Sequence, residues 1–382
     1  MGGRTSAKAR SLVVVLVGLV WVSSATGHAR GTAVDEGVYK GTHNSYLCEG
    51  QCLGQAECDL KLSCDFDSPW MNHSPRVQIE DFGVWVLELD YSVVDVNGQL
   101  RLKVGHNTEH DEATCWGNPD NLLANYLSLI RSNRSFDYRP TIIYFEKKPD
   151  WGLCGSEAAC YLPVLDNELM VSLGREHIFG PYDLKVFQEA RGRLPTVTEL
   201  AGKVLPISLE CPCGNALVFS DAPNALFRVA TGGGIDECTT ASALQSAIDG
   251  GANVVRSEQY QGDWTFDYGL PPNPLVVDAA ATPPWRVTDS KGDHWCCENG
   301  DVWKGQVVGE HGTFRFPYKT VSAAVNRAKG YVPGIIGGEL KRRGLGWTLL
   351  MRPGNYAETL TINYPVTLKK DDSLSGQVII GR

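Results

Sequence analysis

Between residues 35 and 260, short apolar, often β-branched runs alternate with segments of helical spacing, and this alternation constrains the fold most. The strand-like runs are Val38 to Gly41, Val84 to Val94, Leu102 to Gly105, Thr141 to Phe145, Lys203 to Leu209, Ala216 to Phe219 and Asn253 to Arg256. Leu122 to Ile130 and Ala241 to Ile248 carry the helical spacing. Strands joined through helical crossovers run parallel, so the pattern predicts βαβ units. About eight strands in a stretch of this size suit an α/β fold of the (β/α)8 TIM-barrel type. We place this barrel over residues 30–282. An Ala/Pro stretch, Ala279 to Trp285, then changes the composition. Beyond it, residues 283–382 form a small β-rich segment with short runs at Thr348 to Met351, Thr359 to Ile362, Val366 to Leu368 and Val378 to Ile380.

The first residues bear on compartment. Arg4, Lys8 and Arg10 precede the apolar run Leu12 to Val22, and small residues follow. Basic, apolar, then small is the layout of a secretory signal peptide, which we place at 1–29. The rival is a membrane anchor, but a span needs about 20 apolar residues and this run is shorter. All 12 cysteines lie beyond this segment. An even number in a secreted chain predicts disulfides, with Cys48–Cys64 and Cys154–Cys160 as short links. Zinc through Cys48-x3-Cys52 or Cys211-x-Cys213 lacks the second ligand pair that such sites use. Asn72-His-Ser and Asn133-Arg-Ser are glycosylation sequons. The net charge is −9, and the basic leader makes the remainder more acidic still. Such a body is a poor partner for nucleic acid and for anionic membrane surfaces, but its carboxylates can gather a divalent cation.

Polar residues cluster at the ends of the predicted strands. His43-Asn44 follows the first, Glu88 and Asp90 lie in the second, His106 follows the third, and Glu146 with Lys147 and Lys148 ends the fourth. In a parallel barrel these ends face one mouth. Glu88 and Asp90 are two residues apart and share one side of their strand. Hard oxygen ligands of this kind suit Ca2+ or Mg2+ better than zinc. Two imidazoles suit an acid–base pair acting on a phosphodiester.

Four runs, Lys40-Gly-Thr-His-Asn-Ser-Tyr46, Val86-Leu-Glu-Leu-Asp90, Val104-Gly-His106 and Tyr144-Phe-Glu-Lys-Lys148, resemble the secreted, calcium-dependent phosphoinositide phospholipase C group of the PLC-like phosphodiesterase barrels. The resemblance spans roughly residues 36–260 and includes Leu194 to Val204. It implies that His43 and His106 are the catalytic pair. It also implies that Asn44, Glu88, Asp90 and Glu146 bind Ca2+, and that Lys148 contacts phosphate. It further implies a phosphoinositide or related phosphodiester lipid substrate, attacked by its own inositol 2-hydroxyl, with peripheral contact at the membrane surface. Two departures stand out. The arginine of the family's Gly-Val-Arg is Trp85 here, a change expected to affect packing more than catalysis. The cysteine-rich insertion between Cys48 and Cys64 is unusual in the family and bears on the shape of the mouth. Two other readings are a glycerophosphodiesterase or sphingomyelinase D-like phosphodiesterase, which shares the layout, and a non-catalytic glycan or cell-wall binding protein. Gly312 to Ala324 and Leu349 to Glu358 resemble the start of a pectin-lyase-type parallel β-helix, which implies a glycan contact by the C-terminal segment.

Overall fold

The computed structural model describes residues 32–42, 45, 75–104, 122–148, 153–154, 158–209, 215–220, 226–227, 241–257, 269–286, 307–329, 346–362 and 365–381. In chain order the barrel elements are β1 (Tyr39–Thr42), α1 (Pro75–Phe82), β2 (Val86–Val96), β3 (Gln99–Val104), α2 (Leu123–Arg131) and β4 (Thr141–Lys147). They continue with α3 (Ala158–Leu173), α4 (Pro181–Arg191), β5 (Val204–Ser208), β6 (Phe219–Ser220), α5 (Ala241–Asp249) and β7 (Val254–Ser257). The sheet order is β6-β5-β4-β2-β1-β7, all parallel, so the described residues form a parallel half-barrel. The closed eight-stranded ring of the expectation is not formed among them.

One predicted barrel strand is something else. β3 runs antiparallel to the upper half of β2, from Tyr91↔Val104 to Val96↔Gln99. The cause is the two-residue turn Asn97-Gly98, where φ is 57° and 80°. Asn-Gly is the preferred pair for this tight hairpin, because both residues take positive φ at little cost. The Gly98 N–H also donates to Asp95 Oδ1 at 2.6 Å. The chain before His106 therefore returns by a hairpin rather than a helix, and β3 ends opposite Tyr91, the neighbour of Asp90.

Side-chain alternation divides the core. Leu87, Leu89, Tyr91, Ile143 and Phe145 face outward onto Ile79, Phe82, Leu127 and Leu165 of the helices. Val86, Ile142, Tyr144, Leu205, Ile207 and Val254 face inward with Tyr39 and Trp85. Trp85 is wholly buried and meets Tyr39 edge-on, with the Arg139 guanidinium 4.5 Å above its ring. Position 85 is thus a packing position. Arg139 donates to the carbonyls of Ile79 (3.0 Å) and Val84 (2.7 Å), and burial lowers its pKa to about 9.

The inward cluster continues into the C-terminal strands. β8 (Leu275–Val277), β11 (Trp347–Met351) and β13 (Val366–Lys370) form a parallel three-stranded sheet. β12 (Gly354–Tyr356) pairs in parallel with β14 (Val378–Ile380), while β9 (Trp285–Arg286) and β10 (Val307–Val308) form a small antiparallel pair. A further helix, α6 (Val321–Lys329), adds Val321, Ala324, Val325 and Ala328 to the same cluster. The Trp347 indole N–H donates to Pro272 O at 3.1 Å, and Asn273 Nδ2 donates to Tyr138 O at 2.7 Å. Tyr138 precedes β4, so these strands close the end of the sheet where its parallel strands begin.

Cys154 and Cys160 form a disulfide, as expected. The other ten cysteines and Asn72 lie outside the described residues. At the Asn133 sequon the side chain is buried, its amide donates to Ile130 O, and its Oδ1 accepts from Ser135 N at 2.9 Å.

Candidate active site

The site lies in the first half of β2 and at the C-terminal end of β4, where the parallel pairing of the two strands runs out at Tyr91↔Lys147. The two strands pair in parallel with Glu88↔Tyr144 and Asp90↔Glu146 in register. Parallel partners project to the same face, so Glu88, Asp90 and Glu146 converge. One carboxylate oxygen from each lies within 4.8 Å of the others. Glu88 and Asp90 are wholly buried, and Glu146 is partly exposed. The apolar layer of Val86, Ile142 and Leu205 lies below them. Two unit charges at this separation repel by about 3–4 kcal/mol at an effective dielectric constant of 20, so the cluster favours a cation.

Lys148 follows β4, and its backbone N–H donates to Tyr91 O at 2.8 Å. Its Nζ lies 3.5 Å from Asp90 Oδ2 and donates to Glu146 Oε1. Burial disfavours the ammonium, but Asp90, Glu146 and Glu88 outweigh burial and raise its pKa. Lys147 takes the other face: its Nζ sits 5.6 Å from the Tyr161 ring and donates to Lys148 O at 3.1 Å.

Of the expected site residues, Glu88, Asp90, Glu146 and Lys148 are therefore brought together. His43, Asn44 and His106 lie outside the described residues. The residues on both sides of the first pair are described. Thr42 ends β1, and Ser45 is wholly buried against Glu88. Ser45 N donates to Glu88 O at 2.8 Å, and Glu88 N donates to Ser45 Oγ at 2.9 Å. Val104, two residues before His106, pairs with Tyr91.

Sequence reasoning missed three supporting residues, Thr42, Ser45 and Gln78. The first two sit inside the Lys40–Tyr46 run. Gln78 had a signal of its own: Pro75, Gln78, Ile79 and Phe82 fall at i, i+3, i+4 and i+7, the stripe of a helix that turns to the core.

No family model matches the chain, and no curated protein matches it. Among solved structures, it is similar to the calcium-dependent phosphoinositol-specific phospholipase C of a Gram-negative Pseudomonas, with 17% identity and a TM-score of 0.37, over 60% of this chain and 91% of that one. It is also similar to the Ca2+-dependent phosphatidylinositol-specific phospholipase C of Streptomyces antibioticus, with 16% identity and a TM-score of 0.30, over 66% of this chain and 69% of that one.

Proposed function

We propose that the chain is a secreted, calcium-dependent phosphoric diester hydrolase with the reaction of a phosphatidylinositol phospholipase C. The observation that carries this reading is the convergence of Glu88, Asp90 and Glu146 on one face of two adjacent parallel strands, with Lys148 against them. The Lys40–Tyr46 and Tyr144–Lys148 runs support it from the sequence.

The donor set fits a hard divalent cation, since it offers carboxylate oxygens only and two of its three side chains are buried. Glu88, Asp90 and Glu146 would hold the ion, with Asn44 as a carboxamide ligand. Bound there, such an ion polarises a phosphoryl oxygen and makes a nearby hydroxyl more acidic. The remaining work falls to side chains. His43, or a carboxylate such as Glu146, takes the proton of the inositol 2-hydroxyl. That oxygen attacks phosphorus as the bond to the glycerol oxygen breaks. The His106 imidazolium gives its proton to the departing diacylglycerol oxygen, leaving a cyclic inositol phosphate. Hydrolysis of the cyclic product reverses these roles. The Lys148 ammonium contacts the phosphate and offsets its charge. Contact with lipid is at the membrane surface; no helix among the described residues is long and apolar enough to cross a membrane.

The test is incubation of the purified protein with phosphatidylinositol vesicles, with calcium or with excess chelator. Diacylglycerol and cyclic inositol phosphate are expected with calcium alone. Choline or glycerol products from other diesters would indicate a glycerophosphodiesterase or sphingomyelinase D-like activity. Undiminished turnover in chelator would remove the metal from the reading.

A further inference from the structure

Gln78 is wholly buried in α1, on the stripe that carries Ile79 and Phe82. A carboxamide in that place costs free energy unless its polar atoms are satisfied, and an apolar side chain of similar length would fill the space without that cost. Its atoms reach the two residues that flank the 43–44 dipeptide. Nε2 donates to Ser45 O at 3.2 Å, and Oε1 accepts from Thr42 Oγ1 at 2.6 Å. A carbonyl oxygen only accepts, so the amide group must face Ser45 O and the orientation of Gln78 is fixed.

The remaining donors then fall into one order. Thr42 Oγ1 spends its proton on Gln78, so in the 2.7 Å contact between the two hydroxyls Ser45 is the donor. The Ser45 hydroxyl also donates to Thr42 O at 2.9 Å, so its one proton is shared between Thr42 Oγ1 and Thr42 O, while its oxygen accepts from the Glu88 N–H at 2.9 Å. Glu88 N therefore donates to Ser45 Oγ, Ser45 Oγ to Thr42 Oγ1 and Thr42 O, and Thr42 Oγ1 to the acceptor Gln78 Oε1, while Gln78 Nε2 donates back to Ser45 O. The regular pairing of β1 with β2 reaches only Gly41↔Val86. Beyond it the Ser45 hydroxyl stands in for a ladder carbonyl at Glu88. The side chain of Gln78 sets the separation between the end of β1 and the point where the chain rejoins β2.

We propose that Gln78, acting through Thr42 and Ser45, is a positioning residue that fixes the Glu88 carboxylate against Asp90 and Glu146 and fixes both ends of the 43–44 dipeptide. This rests on the metal-site reading above. Supporting residues behind a metal site typically change affinity or activity by about 10- to 100-fold when lost.

The experiment uses the full chain. Ca2+ titration by calorimetry and turnover of phosphatidylinositol in phosphatidylcholine vesicles are measured for wild type, Gln78→Met, Thr42→Val, the double variant and Thr42→Ser. Gln78→Met is expected to weaken Ca2+ binding by about 10- to 100-fold and to lower kcat by a similar factor with KM for vesicles unchanged. Thr42→Val removes the same hydrogen bond, so the double variant should be little worse than either single one. Thr42→Ser keeps the hydroxyl and should restore wild-type values. If Gln78→Met does not fold, Thr42→Val against Thr42→Ser gives the same comparison. Wild-type Ca2+ affinity and kcat in folded Gln78→Met or Thr42→Val would overturn the positioning role alone. A wild-type protein that binds Ca2+ but does not cleave phosphatidylinositol would overturn the lipid reading alone, and the affinities would still decide the role of Gln78.

Discussion

Glu88 and Asp90 are carboxylates taken wholly out of water, with the Lys148 ammonium against Asp90 and Glu146. Removing that ammonium leaves like charges closer to uncompensated, so Lys148→Met should lower the melting temperature in chelator, and added Ca2+ should restore it. The raised pKa of Lys148 gives this difference a sign in pH. Its contribution is fully present below the unfolded lysine value of about 10.4 and is lost as pH rises through the folded value. In chelator, the gap between wild type and Lys148→Met should thus hold steady below about pH 10 and close above it. Asp90→Asn removes one charge from the cluster and should raise the calcium needed for half-maximal activity; an unchanged titration would place the ion elsewhere. His43→Ala and His106→Ala should each cost about 10²–10⁴ in turnover with circular dichroism unchanged. Near-normal activity in either would end that assignment.

Among the elements, the β2–β3 hairpin differs most from its sequence expectation. At Gly98 a Cβ would meet nothing within 4 Å, so a side chain there is opposed by φ alone. Gly98→Val should cost about 1–2 kcal/mol by thermal melting, and Gly98→Asn clearly less. No difference between the two would mean that backbone conformation does not control this turn. The turn before β5 is a capping box, Thr196-x-x-Glu199: Thr196 N donates to Glu199 Oε2 at 2.8 Å, and Glu199 N donates to Thr196 Oγ1 at 3.3 Å. The Arg193 guanidinium lies 2.6 Å from Glu199 and, with the Thr196 hydrogen bonds, outweighs partial burial and lowers its pKa to about 2. A depressed carboxyl stabilises the fold above its unfolded pKa of about 4.3, and that contribution is lost as pH falls towards 2. Urea midpoints of wild type should fall across that window more steeply than those of Glu199→Gln. The amplitude is small, because the pair is partly exposed and solvent screens it.

For the whole molecule, the barrel interior and the C-terminal strands share one apolar cluster, running from Tyr39 and Trp85 through Leu275 to Trp347 and Leu349. Trp347 is wholly buried and hydrogen-bonded to Pro272 O. Trp347→Ala should cost about 3–5 kcal/mol. Because the cluster is shared, calorimetry should show the barrel and these strands melting in one transition. A separate early transition in the variant would show instead that the two parts melt apart. Since this junction lies at the end of the sheet opposite the carboxylates, the same variant should keep its Ca2+ affinity at temperatures where it is folded.

The sequence by itself determined the strand–helix alternation and the carboxylate set. Apolar runs have to be buried, and charged side chains placed among them at Glu88, Asp90 and Glu146 are expensive unless they act together. Local chemistry was equally readable at Asn97-Gly98 and Thr196-x-x-Glu199, although the first of these is a hairpin signal that the strand pattern obscured. Tertiary structure alone decided which face each residue meets. Asn133 reads as an exposed sequon, but a turn folds its amide inward. Gln78 falls on the core-facing stripe of a short helix, but only the tertiary structure brings Thr42 and Ser45 to the two polar ends of its side chain. Lys147 and Lys148 are adjacent and chemically alike, and only the strand register turns one to Tyr161 and the other to Asp90. Such choices depend on contacts between residues distant in sequence, and no local pattern encodes them.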